Sequence, residues 1–179
     1  MPTPVTGVES LEYAPISGDG TMPTTGWKKI VDIRDNSLAI TVPEVATNDI
    51  RVEDKSGIRF VLPGDTDPAT VAASSLDIDG EKAADLFGGT WNDTDQEFLY
   101  PAQPVVQQFA FRVTSKPFEG KKFQLFIPVG AVTAGFPDPL TRTDMFAMSF
   151  TARATTPDDG DGNPMSPWGF RYIPSTPTT

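Results

Sequence analysis

Hydrophobic and polar residues alternate along much of this chain, a pattern typical of strands with one buried face. The clearest run is 144–154, where Phe146, Met148, Phe150 and Ala152 fall on one face. Gly, Pro, Asp and Asn separate the runs and predict turns. Further strands are predicted at 27–34, 37–42, 49–54, 57–62, 71–78, 95–100, 105–113, 121–129 and 168–173.

A single short helix is predicted at about 79–87, within "DIDGEKAADLFGGTW". Asp77 or Asp79 can serve as its N-cap, and Gly88 can take the left-handed conformation that ends a helix. Apolar residues share one face at i, i+3 and i+4, and these are Ala83, Leu86 and Phe87. A helix this short is marginal alone, so we expect its apolar face to pack on the sheet.

These elements predict a mainly β fold, an antiparallel β-sandwich or barrel with one short flanking helix. Residues 1–26 are rich in Pro, Gly, Thr and Ser, which predicts an extended N-terminal arm rather than a packed element. We expect 27–173 to form one β-sandwich domain, with 43–70 as a hairpin or loop insertion. The tail at 174–179 is expected to be disordered.

The composition argues against several classes of function. The chain has 179 residues and a net charge of −10, opposite in sign to a general nucleic-acid-binding surface. It contains no Cys and no His, which removes disulfides, thiolate catalysis, the serine protease triad and the commonest transition-metal ligands. We therefore expect a protein that is not an enzyme and has no cofactor.

Three groups of residues could still carry chemistry. The acidic stretch 158–163 lacks the Gly and Glu positions of an EF-hand, so a solvated loop is the favoured interpretation. The neighbouring carboxylates at 93 and 95, or at 77 and 79, could form a hydrolytic pair, but such neighbours are common in an acidic chain. The tryptophans at 27, 91 and 168 could stack on a sugar, although each also borders a predicted strand.

No basic segment followed by an apolar run begins the chain, and no apolar stretch is long enough to span a bilayer. We expect a protein made in a cytoplasm that has no membrane partner.

The order of the features resembles that of the tail tube, or major tail, proteins of long-tailed bacteriophages. An early segment, "DGTMPTTGWKKIVDIRDNSLAITV", is followed by a hairpin-like insertion, the "GEKAADLFGGTW" helix and aromatic-rich strands. The matching positions are Asp19, Gly20, Trp27, Asp32 and Ser37 in the first segment, and Leu86, Gly88, Gly89 and Thr90 in the second. The resemblance covers most of residues 10–153.

The resemblance implies a structural virion protein. Subunits of that family form hexameric rings, which stack into a hollow tail tube that conducts DNA during infection. It implies contacts with other tail proteins, assembly in the host bacterial cytoplasm and a lumen that DNA passes without specific binding. The segment 43–70 occupies the place of the family's loop that contacts the next ring. No catalytic or metal-binding residue is implied.

Two other functions stay open at this point. One is a β-sandwich carbohydrate-binding or adhesin module that uses Trp27, Trp91 or Trp168. The other is a different virion component, such as a capsid decoration protein, which would share this composition but form no tubes.

Overall fold

The computed structural model describes residues 5–51, 53, 56–139, 141–142 and 145–175. Within these residues the fold is mainly β, with antiparallel sheets and one short helix, as the sequence predicts. The elements are β1 Val8–Pro15, β2 Lys28–Ile30, β3 Ala39–Thr41, β4 Thr47–Arg51, β5 Ile58–Pro63, β6 Thr70–Ser75, α1 Gly80–Phe87, β7 Thr90–Asn92, β8 Glu97–Leu99, β9 Gln107–Ser115, β10 Lys121–Gly135, β11 Met148–Ala154 and β12 Gly169–Pro174.

The main sheet is built around β10. One edge of β10 pairs with β9, while its other edge pairs with β12 in its first half and with β11 in its second half. The register with β9 shifts between Ile127 and Gly130, where Pro128 interrupts the regular ladder. Proline lacks a backbone N–H and is tolerated at such a bulge. The strand is therefore much longer than the predicted 121–129.

The strands follow the order β2-β1-β9-β10-β11-β6-β3. The two ends of this order are adjacent in the chain, because β2 leads directly to β3. Between them Ile33 forms a bridge with Ser75, and the Arg34 amide donates to the Ser74 carbonyl oxygen at 2.8 Å. The sheet thus curls round until residues 28–41 join β1 to β6, which protects most of its edges.

Alternate residues of the strands fill the inside of this curled sheet. Aligned triplets cross neighbouring strands, such as Tyr13, Phe111 and Ile127, and all three are almost completely buried. The predicted face of β11 is confirmed, because Met148, Phe150 and Ala152 are buried. Most of the other buried apolar side chains belong to the same cluster, which is the hydrophobic core.

Helix α1 begins and ends where the sequence predicts. The Asp79 carboxylate accepts hydrogen bonds from the backbone N–H groups of Glu81 and Lys82, at 2.8 and 3.3 Å. Gly88 has a φ of 73° and ends the helix in the left-handed conformation. Ala83 and Leu86 are buried in the core, and Phe87 packs against it.

The prediction of an unpacked arm at residues 1–26 is wrong for residues 8–15. These form β1, which lies between β2 and β9, and its Leu11 and Tyr13 are fully buried. The Gly and Pro residues on both sides of this strand hid it in the sequence. Of the predicted tail at 174–179, residues 176–179 lie outside the described residues, while Pro174 still belongs to β12.

Candidate functional site

Among the described residues, the β4–β5 hairpin carries a large group of exposed apolar side chains. Its register places Ile50 opposite Phe60 and Asn48 opposite Leu62, so these side chains share one face. The register then shifts, and Ile58 pairs with Arg51 beyond this shift. Ile50, Ile58, Phe60 and Leu62 are 40% to 54% exposed. We call these four residues the apolar hairpin face. Asp49 and Val61 pair with each other on the opposite face.

Two hydrogen bonds anchor the hairpin at its root. The Gly64 amide donates to the Ala46 carbonyl oxygen at 2.7 Å, and the Ala46 amide donates to the Thr66 hydroxyl at 3.1 Å. Beyond the root, β4 and β5 pack chiefly against each other. A two-stranded hairpin is marginally stable in water unless another surface covers its apolar face. The sequence predicts this hairpin, but only the structure shows that its apolar face is bare.

A second apolar surface lies where α1 meets the segment before β9. It is a depression of about 170 Å³, which we call the helix-side groove. Its lining residues are Leu86, Phe87, Tyr100, Pro104, Val105, Val106, Val132, Thr133 and Ala134. Tyr100, Val105 and Val106 are all more than half exposed at its rim.

Aromatic rings make the helix end of this groove rigid. The Phe87 ring stacks on Phe136 with centroids 5.1 Å apart, and Phe136 stacks on Phe146 at 5.0 Å. Phe98 and Tyr100 also contact the Phe87 ring. Such ring pairs stabilise a structure beyond the area that they bury. The groove is therefore a preformed feature of the fold.

The turn between β7 and β8 is acidic. Asp93, Asp95 and Glu97 lie on the β7–β8 hairpin, all exposed, and the structure shows no ion pair for them among the described residues. Asn92 and Gln96 donate to the two aspartates within the turn. These hydrogen bonds hold the turn together and leave its negative charge uncompensated.

A third exposed apolar surface lies on β12. The rings of Phe123, Phe170 and Tyr172 contact one another with centroids 5.4 to 6.4 Å apart. Phe170 and Tyr172 are about half exposed. Arg171, between Phe170 and Tyr172 in the sequence, instead donates to Gln124 and lies 5.8 Å from the Phe126 ring centroid. We call it the β12 patch.

A depression of about 640 Å³ lies beside the first half of β1. It opens where residues 31–36 leave β1 to pair with β6. Its charged lining includes both signs, with Glu9 and Asp32 beside Lys29 and Lys116. Arg34 is already engaged with Asp138 at 2.7 Å. The lining therefore shows no excess of either charge that would select an ionic ligand.

Asp19 and Gly20, which match the first segment of the tail tube proteins, stabilise a turn. The Asp19 carboxylate accepts from the hydroxyl groups of Ser17 and Thr21, at 2.5 and 2.8 Å. These bonds favour the charged form and lower the pKa of Asp19 to about 2. Gly20 has a φ of 69°, and a β-carbon there would lie 2.4 Å from the Asp158 carbonyl oxygen. The turn therefore needs glycine where it meets the loop 157–165.

The other early positions are also structural. The Trp27 ring covers the Arg112 guanidinium, 4.1 Å from the ring centroid, and Arg112 pairs with Glu12 at 2.5 Å. The Asp32 carbonyl oxygen accepts from the Leu76 amide at 2.9 Å. The Ser37 hydroxyl donates to the Arg34 carbonyl oxygen at 2.7 Å. These contacts hold the segment that joins β1 to β6.

The residues that match the second segment, Leu86, Gly88, Gly89 and Thr90, shape the junction between α1 and β7. Leu86 is buried in the core, and Thr90 pairs with Leu99. At Gly88 a β-carbon would meet the end of the Gln107 side chain, and at Gly89 it would meet the Phe98 ring. Both glycines thus allow close approach of side chains rather than phosphate binding. Among the described residues, we find no direct contact between the matching residues of the first segment and those of the second.

A buried hydrogen bond that the sequence did not indicate ties α1 to β1. The Tyr13 hydroxyl, in a fully buried side chain, donates to the Asp85 carboxylate at 2.9 Å. Lys28 binds the same oxygen at 2.5 Å. Burial, followed by the hydrogen bond to Asp85, raises the pKa of Tyr13 well above its usual value.

The remaining candidates serve local structure. Asp77 pairs with Lys82 at 2.5 Å and Asp79 caps α1, so neither is free for a catalytic pair. Asp159 accepts hydrogen bonds from Asn163 within its own loop, which lowers its pKa. Among the described residues, no three or more carboxylates are grouped so as to hold a metal ion.

The three tryptophans do not form a platform. The ring contacts found across the described residues join no two of them. Trp91 packs over the first turn of α1, where a β-carbon on Gly80 would lie 2.2 Å from its ring. Trp168 packs against the hydrophobic core. Each one supports a different part of the fold.

The sequence matches no protein-family model, and no curated protein is significantly similar to it. Within the described part of the chain, no helix has the length and hydropathy needed to cross a membrane.

Proposed function

We propose that this protein is a structural subunit that assembles with copies of itself, and that it forms the tail tube of a long-tailed bacteriophage. The apolar hairpin face carries this proposal. Its four side chains would bury their exposed area only against another molecule, because the hairpin packs chiefly on itself. Exposed apolar patches of this kind mark interaction sites in soluble proteins.

The resemblance supplies the form of the assembly. Hexameric rings would stack into a hollow tube, and the hairpin, which lies within 43–70, would contact the next ring. The tube would join other tail proteins, would assemble in the bacterial cytoplasm and would end in the virion. The net charge of −10 supports a channel that DNA passes without being retained.

The alternative of a carbohydrate-binding module receives less support. A sugar platform made of Trp27, Trp91 and Trp168 would need their rings to lie close together, and the three tryptophans are used separately in the fold. A capsid decoration protein would also use an apolar contact surface, but it would form no tubes. Electron microscopy distinguishes a capsid decoration protein from a tail tube protein, because only the second forms tubes.

Negative-stain electron microscopy of the purified chain, over a range of concentrations up to several milligrams per millilitre, tests the proposal. We expect rings or tubes for the wild-type chain. The paired variant Ile50→Ser and Phe60→Ser should stay monomeric and keep its circular dichroism spectrum. Val61→Ser changes the opposite face of the same hairpin and should still assemble. Persistent wild-type monomers under every condition would refute the proposal.

A further inference from the structure

We propose that strand β4 of one copy pairs with the free edge of strand β12 of a second copy. This inference rests on the proposed function, because it names the two strands through which copies of the chain meet. Among the described residues, the strands of five or more residues that pair on one edge only are β4, β5 and β12. An unpaired edge presents backbone N–H and C=O groups that can pair with another chain.

Phe170 and Tyr172 form the free edge of β12. The Ser175 amide donates to the Gly120 carbonyl oxygen at 2.9 Å, in line with the register of β12 on β10. Alternate residues of an antiparallel strand direct their backbone groups to opposite sides. Every second residue before Ser175 therefore bonds to β10, and the N–H and C=O groups of Phe170 and Tyr172 point outward. Both side chains are about half exposed, so this edge is open.

Thr47 and Asp49 form the free edge of β4. The Gly64 amide donates to the Ala46 carbonyl oxygen at 2.7 Å, in line with the register of the hairpin. By the same alternation, the backbone groups of Thr47 and Asp49 point away from β5. Every residue of β4 is exposed, so this edge is open as well.

The other edge of the hairpin, on β5, is protected. Pro63 lies at an outward position of this strand and has no N–H group. The register shift between Ile50 and Arg51 leaves Arg59 as an extra residue of β5, which is a β-bulge. Proteins use prolines and bulges to prevent the pairing of exposed edges. β4 contains no proline and no extra residue, so it is the edge that the hairpin offers.

Charge disfavours the pairing of β12 with the β12 of another copy. The antiparallel register that uses both outward residues sets Phe170 of each copy opposite Tyr172 of the other. The two Arg171 side chains would then lie directly opposite each other, and like charges in that position destabilise a sheet. Pairing of two β4 strands would leave the aromatic edge of β12 open.

A parallel register matches the side chains of β4 and β12. In a parallel pair, a residue bonds to the residues before and after the one that it faces. Tyr172 then faces Ile50 and bonds to the outward backbone groups on either side of it. On the other face Arg171 lies beside Asp49, and the structure gives neither an ion pair among the described residues. Apolar and opposite-charge pairs stabilise a sheet, whereas an antiparallel register would set Asp49 against an aromatic ring.

Within one chain these two edges are not paired. The root of the hairpin and the start of β12 nevertheless line the same depression, of about 370 Å³, through Val45 and Trp168. Since the chain leaves both edges open although it brings these ends close together, we assign the pairing to a second copy. A copy whose β4 is paired still offers its own β12, so such contacts continue into rings or stacks.

Cross-linking tests the pairing directly, because the chain has no natural cysteine. A copy with Asn48→Cys is mixed with an affinity-tagged copy that has Phe170→Cys, and the assembled material is oxidised. The two positions face each other in the parallel register, and neighbouring strands lie about 4.8 Å apart, within the reach of a disulfide. We expect a linked pair of one tagged and one untagged chain. Val61→Cys, on the β5 edge, should give at least about tenfold less product with the same tagged copy.

A proline on β4 gives a second test. The N–H group of Asp49 points away from β5, so Asp49→Pro removes an outward donor and leaves the hydrogen bonds of the hairpin in place. It should raise the protein concentration needed for assembly about fivefold above that of Asp49→Ala, which controls for the lost carboxylate. Both variants should keep the circular dichroism spectrum of the wild-type chain.

Charge exchange gives a third test. Asp49→Arg sets two arginines side by side and should raise the concentration needed for assembly about fivefold. Addition of Arg171→Asp to the same chain should restore assembly, because the two charges are then exchanged. Glu97→Arg makes the same change in net charge on β8 and should assemble normally.

The outcomes separate this inference from the function on which it rests. If the wild-type chain forms tubes but the Asn48–Phe170 cross-link is absent and the Asp49 variants assemble normally, the copies meet elsewhere and this inference is overturned. A disulfide within a single chain that carries both cysteines, at a concentration below that of assembly, would also overturn it, because the hairpin would then close on its own β12. If the wild-type chain never assembles, the proposed function fails and this inference fails with it.

Discussion

The Tyr13–Asp85 hydrogen bond allows a quantitative test of how α1 is attached to the sheet. Tyr13 is fully buried, and its hydroxyl donates to the Asp85 carboxylate at 2.9 Å. The substitution Asp85→Ala leaves the hydroxyl of this buried side chain without this acceptor. A buried polar group that loses its partner costs about 1–3 kcal/mol. The Lys28 ion pair, which is partly exposed, adds at most about 1 kcal/mol.

We therefore expect Asp85→Ala to lower the free energy of unfolding by about 2 kcal/mol. For a chain of this size that corresponds to a fall in Tm of about 4–8 °C. Tyr13→Phe removes the donor itself and should cost only about 1 kcal/mol, because Asp85 keeps Lys28 and contact with solvent. In the Tyr13→Phe background, Asp85→Ala should cost less than about 1 kcal/mol.

Thermal unfolding of the four proteins, followed by circular dichroism at a concentration below that of assembly, measures this cycle. The coupling between the two sites should be about 1–2 kcal/mol. Lys28→Ala is the control, because it removes the ion pair but leaves the Tyr13 acceptor in place. Additive effects of Tyr13→Phe and Asp85→Ala would show that the hydroxyl finds another partner, and the reasoning would then be wrong.

Three further predictions concern turns and titration. Gly20→Ala should lower the free energy of unfolding in urea more than Gly88→Ala does. Both residues have a positive φ, which costs Ala about 1 kcal/mol. Of the two, only at Gly20 does the new methyl group meet a backbone carbonyl oxygen. Because the pKa of Tyr13 is raised in the folded state, the free energy of unfolding should fall as the pH rises above about 10, the ordinary tyrosine pKa. In thermal unfolding at alkaline pH, Tyr13→Phe should reduce this dependence of stability on pH. The Asp19 carboxyl should titrate near pH 2 by NMR and move toward its ordinary value in Ser17→Ala; its contribution to stability is present above that ordinary value and is lost as the pH falls toward 2.

The elements that the sequence predicted well are those in which local rules and tertiary packing agree. In β11 the alternating apolar residues are the buried ones. In α1 the cap at Asp79, the packed face and the stop at Gly88 all lie where propensity places them. Each of these signals spans fewer than a dozen residues, so a single sequence contains it in full.

The sequence failed where pairing over long distances decides the structure. β1 is short and lies between Gly and Pro residues, and it is held by β9, about 100 residues away. The segments predicted at 27–34 and 37–42 are shorter strands, β2 and β3, that pair with different neighbours. The bulge after Ile127 breaks the alternation of β10. Local patterns carry no information about such partners.

The sequence predicts the candidate surfaces only in part. The hairpin could be predicted from its alternation and its turn, but whether Ile50 and Phe60 face a core or solvent depends on what lies opposite them. The helix-side groove could not be predicted at all, because it combines α1 with the segment before β9 and the end of β10.

The balance of buried and exposed groups supports assembly as the role of the hairpin. Among the described residues, every buried side-chain nitrogen or oxygen has a hydrogen-bond partner, so the interior of the fold is already satisfied. The hairpin contributes little to that interior, although it contains five of the exposed large apolar side chains. A segment that orders about a dozen residues must recover the entropy of ordering them through burial. Since its own chain leaves that face exposed, we expect the burial that stabilises it to come from a second molecule, as the proposed function requires.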